Sequence, residues 1–336
     1  MRRAGSVPFL PQSIPASEQT ASPRPRSCAG RAPAPACAIL LHVAILPASA
    51  LWRDVCFLRL ASQLRHMLPA ERSLELRAHL PTPKAMRRDR PPLLFVHGGF
   101  CDSWCWEPHF LPWFAAHGYP SYALSLRGHG ASGGHDSLWV AGLDDYAADV
   151  ERVASELAAS PVLIGHSMGA AVVERLLATR PLRGAALLAP VPPNGLLVVA
   201  ACLAAQQPDH LMRMSQLDPG RLTSEVLHTL RPYYFSADVP AEILAEAERH
   251  LGQESPRALM DLSLRLHWQL PERPDVPVCV LGAEGDRICT PDDVLATARH
   301  HDVEPVMVEG LAHMLMLERD WERAATALLG WVDKLA

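Results

Sequence analysis

Val162-Leu163-Ile164-Gly165-His166-Ser167-Met168-Gly169-Ala170-Ala171-Val172-Val173 begins as an apolar run, turns through two glycines around a serine, and continues as a helical pattern. A short apolar run bounded by glycine suits a buried strand. Gly-x-Ser-x-Gly between a strand and a helix forms a sharp turn that exposes the serine hydroxyl, with small residues letting the backbones approach. Ser167 then sits at a helix N-terminus, where unpaired N–H groups favour developing negative charge.

Outward from this turn, strand and helix signals alternate. Further apolar runs are Leu93 to Val96, Tyr122 to Leu124, Ala185 to Leu188, Val278 to Leu281 and Pro305 to Val308. Leu143, Tyr146, Ala147, Val150, Ala154 and Leu157 follow helical spacing, and residues 168–180, 291–300 and 321–334 also read as helices. Wholly apolar strands alternating with helices predict a mostly parallel central sheet flanked by helices. Residues 191–270 break the alternation between two strands that should be neighbours, so they are expected to form an inserted helical cap.

Three more strand ends carry chemistry. His97-Gly98-Gly99-Phe100 follows the first strong strand. Acyl transfer needs two donors aimed at an oxyanion; the amide of Met168 supplies one, and that of Gly99 is the best candidate for the other, with Phe100 second. Gly282-Ala283-Glu284-Gly285-Asp286 offers a carboxylate able to fix a histidine's tautomer. Asp286 is the choice, with Glu284, Asp292 and Asp293 as alternatives. Glu309-Gly310-Leu311-Ala312-His313 ends the last strand, and His313 can act as a base of near-neutral pKa. Serine, acid and histidine follow one another in that order along the chain.

The set His97-Gly98-Gly99, Arg127-Gly128-His129-Gly130-Ala131-Ser132, Gly165 to Gly169, Gly285-Asp286 and Gly310 to His313 resembles the α/β-hydrolase superfamily. Within it, the likeness is to serine esterase, lysophospholipase-like and hydroxynitrile-lyase-like members with a helical cap. The resemblance covers about residues 70–336 and implies an α/β-hydrolase fold. It also implies Ser167 as nucleophile, His313 as base, Asp286 as its orienter, and Gly99 with Met168 as the oxyanion hole. Ser125 departs from the pattern, since many relatives carry Asp there. No cofactor is implied. Relatives acting on haloalkanes or epoxides use a carboxylate at the Ser167 position, so an ester with an apolar acyl or small organic group is the expected substrate. A thioesterase, a C–C hydrolase, a lyase and a non-catalytic ligand-binding member are the rivals.

Other patterns weigh less. His97, Cys101, Cys105 and His109 are spaced by four, but Gly98-Gly99 breaks any helix that would align them as metal ligands. His97 to Asp102 fits an H-x4-D acyltransferase spacing but falls inside the proposed oxyanion turn. Trp104, Trp106 and Trp113 read as packing of the first helix. Apolar residues of the cap (Leu196, Leu197, Val198, Val199, Leu203, Leu211, Met212 and Met214) are candidates for an acyl pocket.

Charge and composition bound the rest. Of 336 residues, 49% are hydrophobic and 20% charged, an ordinary globular balance. Net charge is −5, and residues 1–66 carry eight Arg against Glu18 and Asp54, which leaves −11 for the body. Such a body argues against nucleic acid, which needs a basic face. The eight cysteines are too sparse for a disulfide scaffold. Residues 1–66 read as a disordered or targeting extension (secretory signal, transit peptide, or an over-long start before Met67 or Met86), and residues 67–336 as the hydrolase domain. No stretch suits a transmembrane span of ~20 apolar residues, and the expected location is cytoplasmic. Oligomeric state has no signature.

Overall fold

A computed structural model describes residues 73–87, 89–177, 182–197, 230–264 and 276–335. The extension over residues 1–66, its boundary and much of the proposed cap lie outside the described residues.

The strands are β1 (Leu76–His79), β2 (Leu93–Val96), β3 (Ser121–Leu124), β4 (Val162–His166), β5 (Ala185–Leu188), β6 (Val278–Ala283) and β7 (Pro305–Val308). They form one sheet in the order β1-β3-β2-β4-β5-β6-β7. Every pairing is parallel except that of β1 with β3, as the apolar runs predicted. Strand β1 was not legible in the sequence: Leu76-Arg77-Ala78-His79 is an edge strand with alternating exposure and no continuous apolar run.

Register sorts the strand residues onto two faces. Leu94 pairs with Leu163, Leu163 with Ala185 and Ala185 with Val278, and all four belong to one buried cluster. Their neighbours Phe95, Ile164, Ala186 and Cys279 belong to the other. The described α-helices are α1 (Phe110–Ala116), α2 (Leu143–Glu156), α3 (Met168–Leu177), α4 (Ala241–Arg249), α5 (Pro256–Ser263), α6 (Pro291–His300) and α7 (Glu322–Val332). Leu143, Tyr146, Val150 and Val153 of α2 pack on the first face, and Phe110 and Phe114 of α1 with Leu328 of α7 on the second. Phe95 sits among Trp106, Phe110 and Phe114, with ring centroids 4.9, 6.2 and 5.6 Å away. Each fully buried large side chain of this kind contributes ~1.5–3 kcal/mol. Trp106 therefore packs, as expected, but in a short 3-10 turn (Ser103–Trp106) ahead of α1.

The helices α4 and α5 lie between the adjacent parallel strands β5 and β6, where the sequence pattern placed its excursion.

Candidate active site

Ser167 occupies the turn between β4 and α3 with a φ of 52°, a left-handed conformation that costs a non-glycine residue ~1–2 kcal/mol. The turn is held from both sides: the Ser167 amide donates to the Leu188 carbonyl of β5 at 2.9 Å, and the Ala170 amide donates to the Ser167 carbonyl at 3.0 Å. Both glycines of the motif are sterically required. A Cβ at Gly165 would run into the Gly169 carbonyl, and one at Gly169 into the Val96 carbonyl.

Asp286 and His313 come together as the sequence predicted. His313 Nδ1 and Asp286 Oδ2 are 2.8 Å apart, and both side chains are buried. The other carboxylate oxygen accepts the amides of Ile288 and Cys289 at 2.8 and 2.9 Å, which fixes the acid's rotamer. The alternative acids stand elsewhere. Glu284 and Asp292 are exposed, and Asp293 caps α6 through Thr290.

His166, the residue before the serine, had no role in the sequence reading. Its Nε2 donates to the His313 carbonyl at 2.9 Å, and the two rings lie 4.8 Å apart. Burial, then the charge of His313, pushes its pKa well below the usual histidine range, so it is a neutral donor. His166 Nδ1 is buried without a partner. A Cβ at Gly98 would lie 2.9 Å from it, so only glycine lets the next turn close over this ring.

That next turn is His97 to Phe100. His97 Nδ1 donates to the Gly98 carbonyl at 2.8 Å, while Nε2 accepts the Leu126 amide at 3.0 Å, so the ring is neutral. Burial, followed by the charge of His129, holds its pKa down to about 4. A Cβ at Gly99 would lie 3.9 Å from Met168 Sδ, so the Gly99 turn adjoins the start of α3. The Met168 amide, first in that helix, has no intrahelical acceptor. The Phe100 amide, by contrast, already donates to Glu254 Oε2 at 3.3 Å. Cys101 offers no rival nucleophile: its thiol donates to the Gly99 carbonyl, and burial, then Asp102 and Glu254, pushes it up to about 12.

The Arg127 to Ser132 motif is a scaffold. Arg127 donates to Asp149 at 2.7 Å and to Asp145 at 2.9 Å, tying the loop to α2. The carboxylate missing at Ser125 arrives from another element: Glu75 Oε2 accepts Ser125 Oγ at 2.7 Å and the Ala131 amide at 2.9 Å.

A model of the alpha/beta hydrolase family matches residues 93–327. The chain belongs to that family. Among solved structures it is similar to a monoacylglycerol lipase from Paleococcus ferrophilus, at 20% identity and a TM-score of 0.58 over 79% of this chain and 100% of that one. It is also similar to a thermophilic esterase from Thermogutta terrifontis (19%, TM-score 0.57, 80% of this chain and 96% of that one). An esterase from Exiguobacterium antarcticum gives 16% and 0.62, over 78% of this chain and 96% of that one. Likeness at these identities speaks to the fold. A search of curated protein sequences finds no match.

This alpha/beta hydrolase has an apolar cavity of about 120 Å³ beside Gly99, walled by Phe100, Trp104, Tyr234, Phe235, Leu244 and Met314. The expected lining by Leu196 and Leu197 is corrected here: Leu196 packs against the core below, and Leu197 is 57% exposed. Both lie in the short stretch after β5, and among the described residues between β5 and β6 it is those from Leu230 to Leu251 that wall the cavity. The other six candidates, Val198 to Met214, lie outside the described residues. Among the described residues no group of His, Cys, Asp or Glu could hold a metal ion, and no helix is long and apolar enough to cross a membrane.

Proposed function

We propose that this protein is a serine hydrolase of carboxylic esters with an apolar acyl or small organic group. The observation that carries the reading is the buried Asp286–His313 pair, bound through the His313 carbonyl to His166, the residue directly before the strained Ser167. In this reading Ser167 Oγ attacks the ester carbonyl carbon as His313 Nε2 takes its proton. The oxyanion is received by the amides of Gly99 and Met168. Collapse expels the alcohol, protonated by His313, and leaves an acyl-enzyme. Water, deprotonated by the same imidazole, then attacks the acyl carbon and releases the acid.

The Asp286 carboxylate holds His313 in the Nδ1–H tautomer, leaving Nε2 free to act. Phe100 is the weaker oxyanion candidate, because its amide is engaged by Glu254. The apolar cavity beside Gly99 supports an acyl group as its occupant. Residues 230–251, between β5 and β6, serve as the cap side of this cavity, and residues 67–336 form the hydrolase domain.

A fluorophosphonate probe tests the chemistry, with labelling expected at Ser167 and lost in Ser167→Ala. A panel of p-nitrophenyl esters of increasing acyl length tests the substrate class. Full-length protein that neither labels nor turns over any ester overturns the reading in favour of a ligand-binding role.

A further inference from the structure

Phe100 follows the proposed oxyanion amide and has a φ of 62° without being glycine. Such a conformation persists only where its surroundings impose it. Both backbone polar groups of Phe100 are held by one short segment between α4 and α5. The amide donates to Glu254 Oε2 at 3.3 Å, and the carbonyl accepts the Gly252 amide at 2.9 Å. The same segment binds the residues just beyond: His250 Nδ1 bonds Asp102 Oδ2 at 2.8 Å, and the His250 ring stacks on Trp104 at 4.7 Å.

Glu254 is only 1% exposed, yet its carboxylate is fully satisfied. Oε1 accepts the Tyr146 hydroxyl and the Ser255 amide, each at 2.7 Å, while Oε2 also bonds His129 Nε2 at 3.2 Å. The other nitrogen of His129 faces only the Arg127 carbonyl, at 3.0 Å, so both ring nitrogens donate and the imidazole is a cation. A Cβ at Gly99 would lie 3.5 Å from Glu254 Oε2, so the carboxylate rests against the peptide of the proposed oxyanion amide. A lone anion there would oppose the charge that forms during acyl transfer. Pairing with His129 cancels it, so the carboxylate can fix the turn without that penalty.

We infer that Glu254 is a positioning residue, which locks the Gly99–Phe100 turn in the geometry that presents an amide to the oxyanion. This rests on Ser167 acting as nucleophile. Glu254 touches no reacting atom. It acts by consuming the Phe100 amide and holding its left-handed backbone, so that the Gly99 amide is the one left for the site.

The test is Glu254→Gln, whose carboxamide presents one acceptor and two donors to four donors. Deleting an oxyanion donor outright costs 10²–10³ in kcat, so disturbing its aim should cost about 10–100-fold, with KM within about threefold. The rate of fluorophosphonate labelling at Ser167 should fall in parallel. Glu174→Gln, which removes the charge from the buried His301 pair nearly two turns along α3 from Met168, is the control for general loosening; its Tm should drop with kcat within about twofold. Should Glu254→Gln not fold, Glu254→Asp, which keeps a carboxylate but draws it back by one methylene from both His129 and the Phe100 amide, carries the same expectation. The inference is overturned if the folded variant keeps kcat and labelling within about twofold. It is equally overturned if the whole loss lies in KM, or if Glu174→Gln loses as much kcat. A wild-type protein that does not label at Ser167 overturns instead the reading on which this one rests.

Discussion

The imidazole of His166 donates to the backbone carbonyl of His313 at 2.9 Å, so the residue preceding the elbow serine holds the main chain of the proposed base. Replacing His166 with Leu leaves that buried carbonyl without its donor. An orphaned buried acceptor costs ~1–3 kcal/mol, and Tm should fall accordingly. We expect kcat to fall by about tenfold through loss of His313 placement, with KM little changed. Because His166 is held neutral, the pH–rate profile of the remaining activity should keep its shape. A variant with full kcat would show that Asp286 alone suffices to orient His313.

Asp286→Asn can keep its turn bonds to Ile288 and Cys289 through one oxygen while turning an NH₂ group toward His313 Nδ1. That favours the wrong tautomer, and kcat should drop by about 10⁴. Glu284→Gln, at an exposed position, should change kcat by less than about twofold. Steady-state kinetics on one short ester separates the two acids, and a larger loss from Glu284→Gln would reassign the orienter.

Ser167→Ala and Ser167→Gly should both abolish ester turnover but differ in stability. The φ of 52° penalises alanine and not glycine, so Ser167→Gly should be the more stable by ~1 kcal/mol. Denaturant unfolding of the two inactive proteins measures this directly. Equal stability would mean that the turn is unstrained.

The His129–Glu254 pair sets a pH window. Burial disfavours the His129 cation, but its hydrogen bond to Glu254 and that carboxylate's charge outweigh it, leaving a pKa above the ordinary 6.5. Burial likewise pushes Glu254 up, and the His129 hydrogen bond and charge, then Tyr146 and Ser255, bring it below 4.5. The histidine's contribution is therefore complete below 6.5 and lost as pH rises through its raised pKa. The carboxylate's contribution is complete above 4.5 and lost as pH falls through its lowered pKa. Wild type should thus exceed Glu254→Gln in unfolding free energy most between pH 4.5 and 6.5, with the gap closing on the alkaline side through His129 and on the acid side through Glu254. His97, Asp102, Arg127 and Tyr146 face the pair and remain in both proteins. A gap that is flat with pH would mean that the pair is not ionised as described.

Leu244→Trp narrows the apolar cavity from the α4 side. Across the ester panel, kcat/KM should fall by about tenfold or more for long acyl chains and change little for acetyl, the size of effect expected when a pocket loses room for several methylenes. A uniform loss at all chain lengths would place the acyl group elsewhere.

Much of the candidate site was legible because its signals are local. The Gly165 to Gly169 turn, the glycines after Val96, and an acid and a histidine each at a strand's carboxyl end are short patterns tied to adjacent periodic elements. Parallel order followed from apolar strands alternating with helices, and the excursion between β5 and β6 from the break in that alternation. Tertiary structure alone decided the supporting contacts. Glu254 reaches Phe100 across 154 positions, His166 reaches His313 across 147, and Glu75 makes good the carboxylate absent at Ser125 from 50 residues away. Hydrogen bonds between side chains and distant backbone have no period, and a lone Glu in an excursion looks the same whether it is solvated or buried against a cation. Edge strand β1 escaped notice for the same reason, since only its pairing with β3 distinguishes Leu-Arg-Ala-His from a loop. Local chain chemistry determined which strand ends carry the candidate serine, acid and histidine, while the folded packing determined what holds those groups in place.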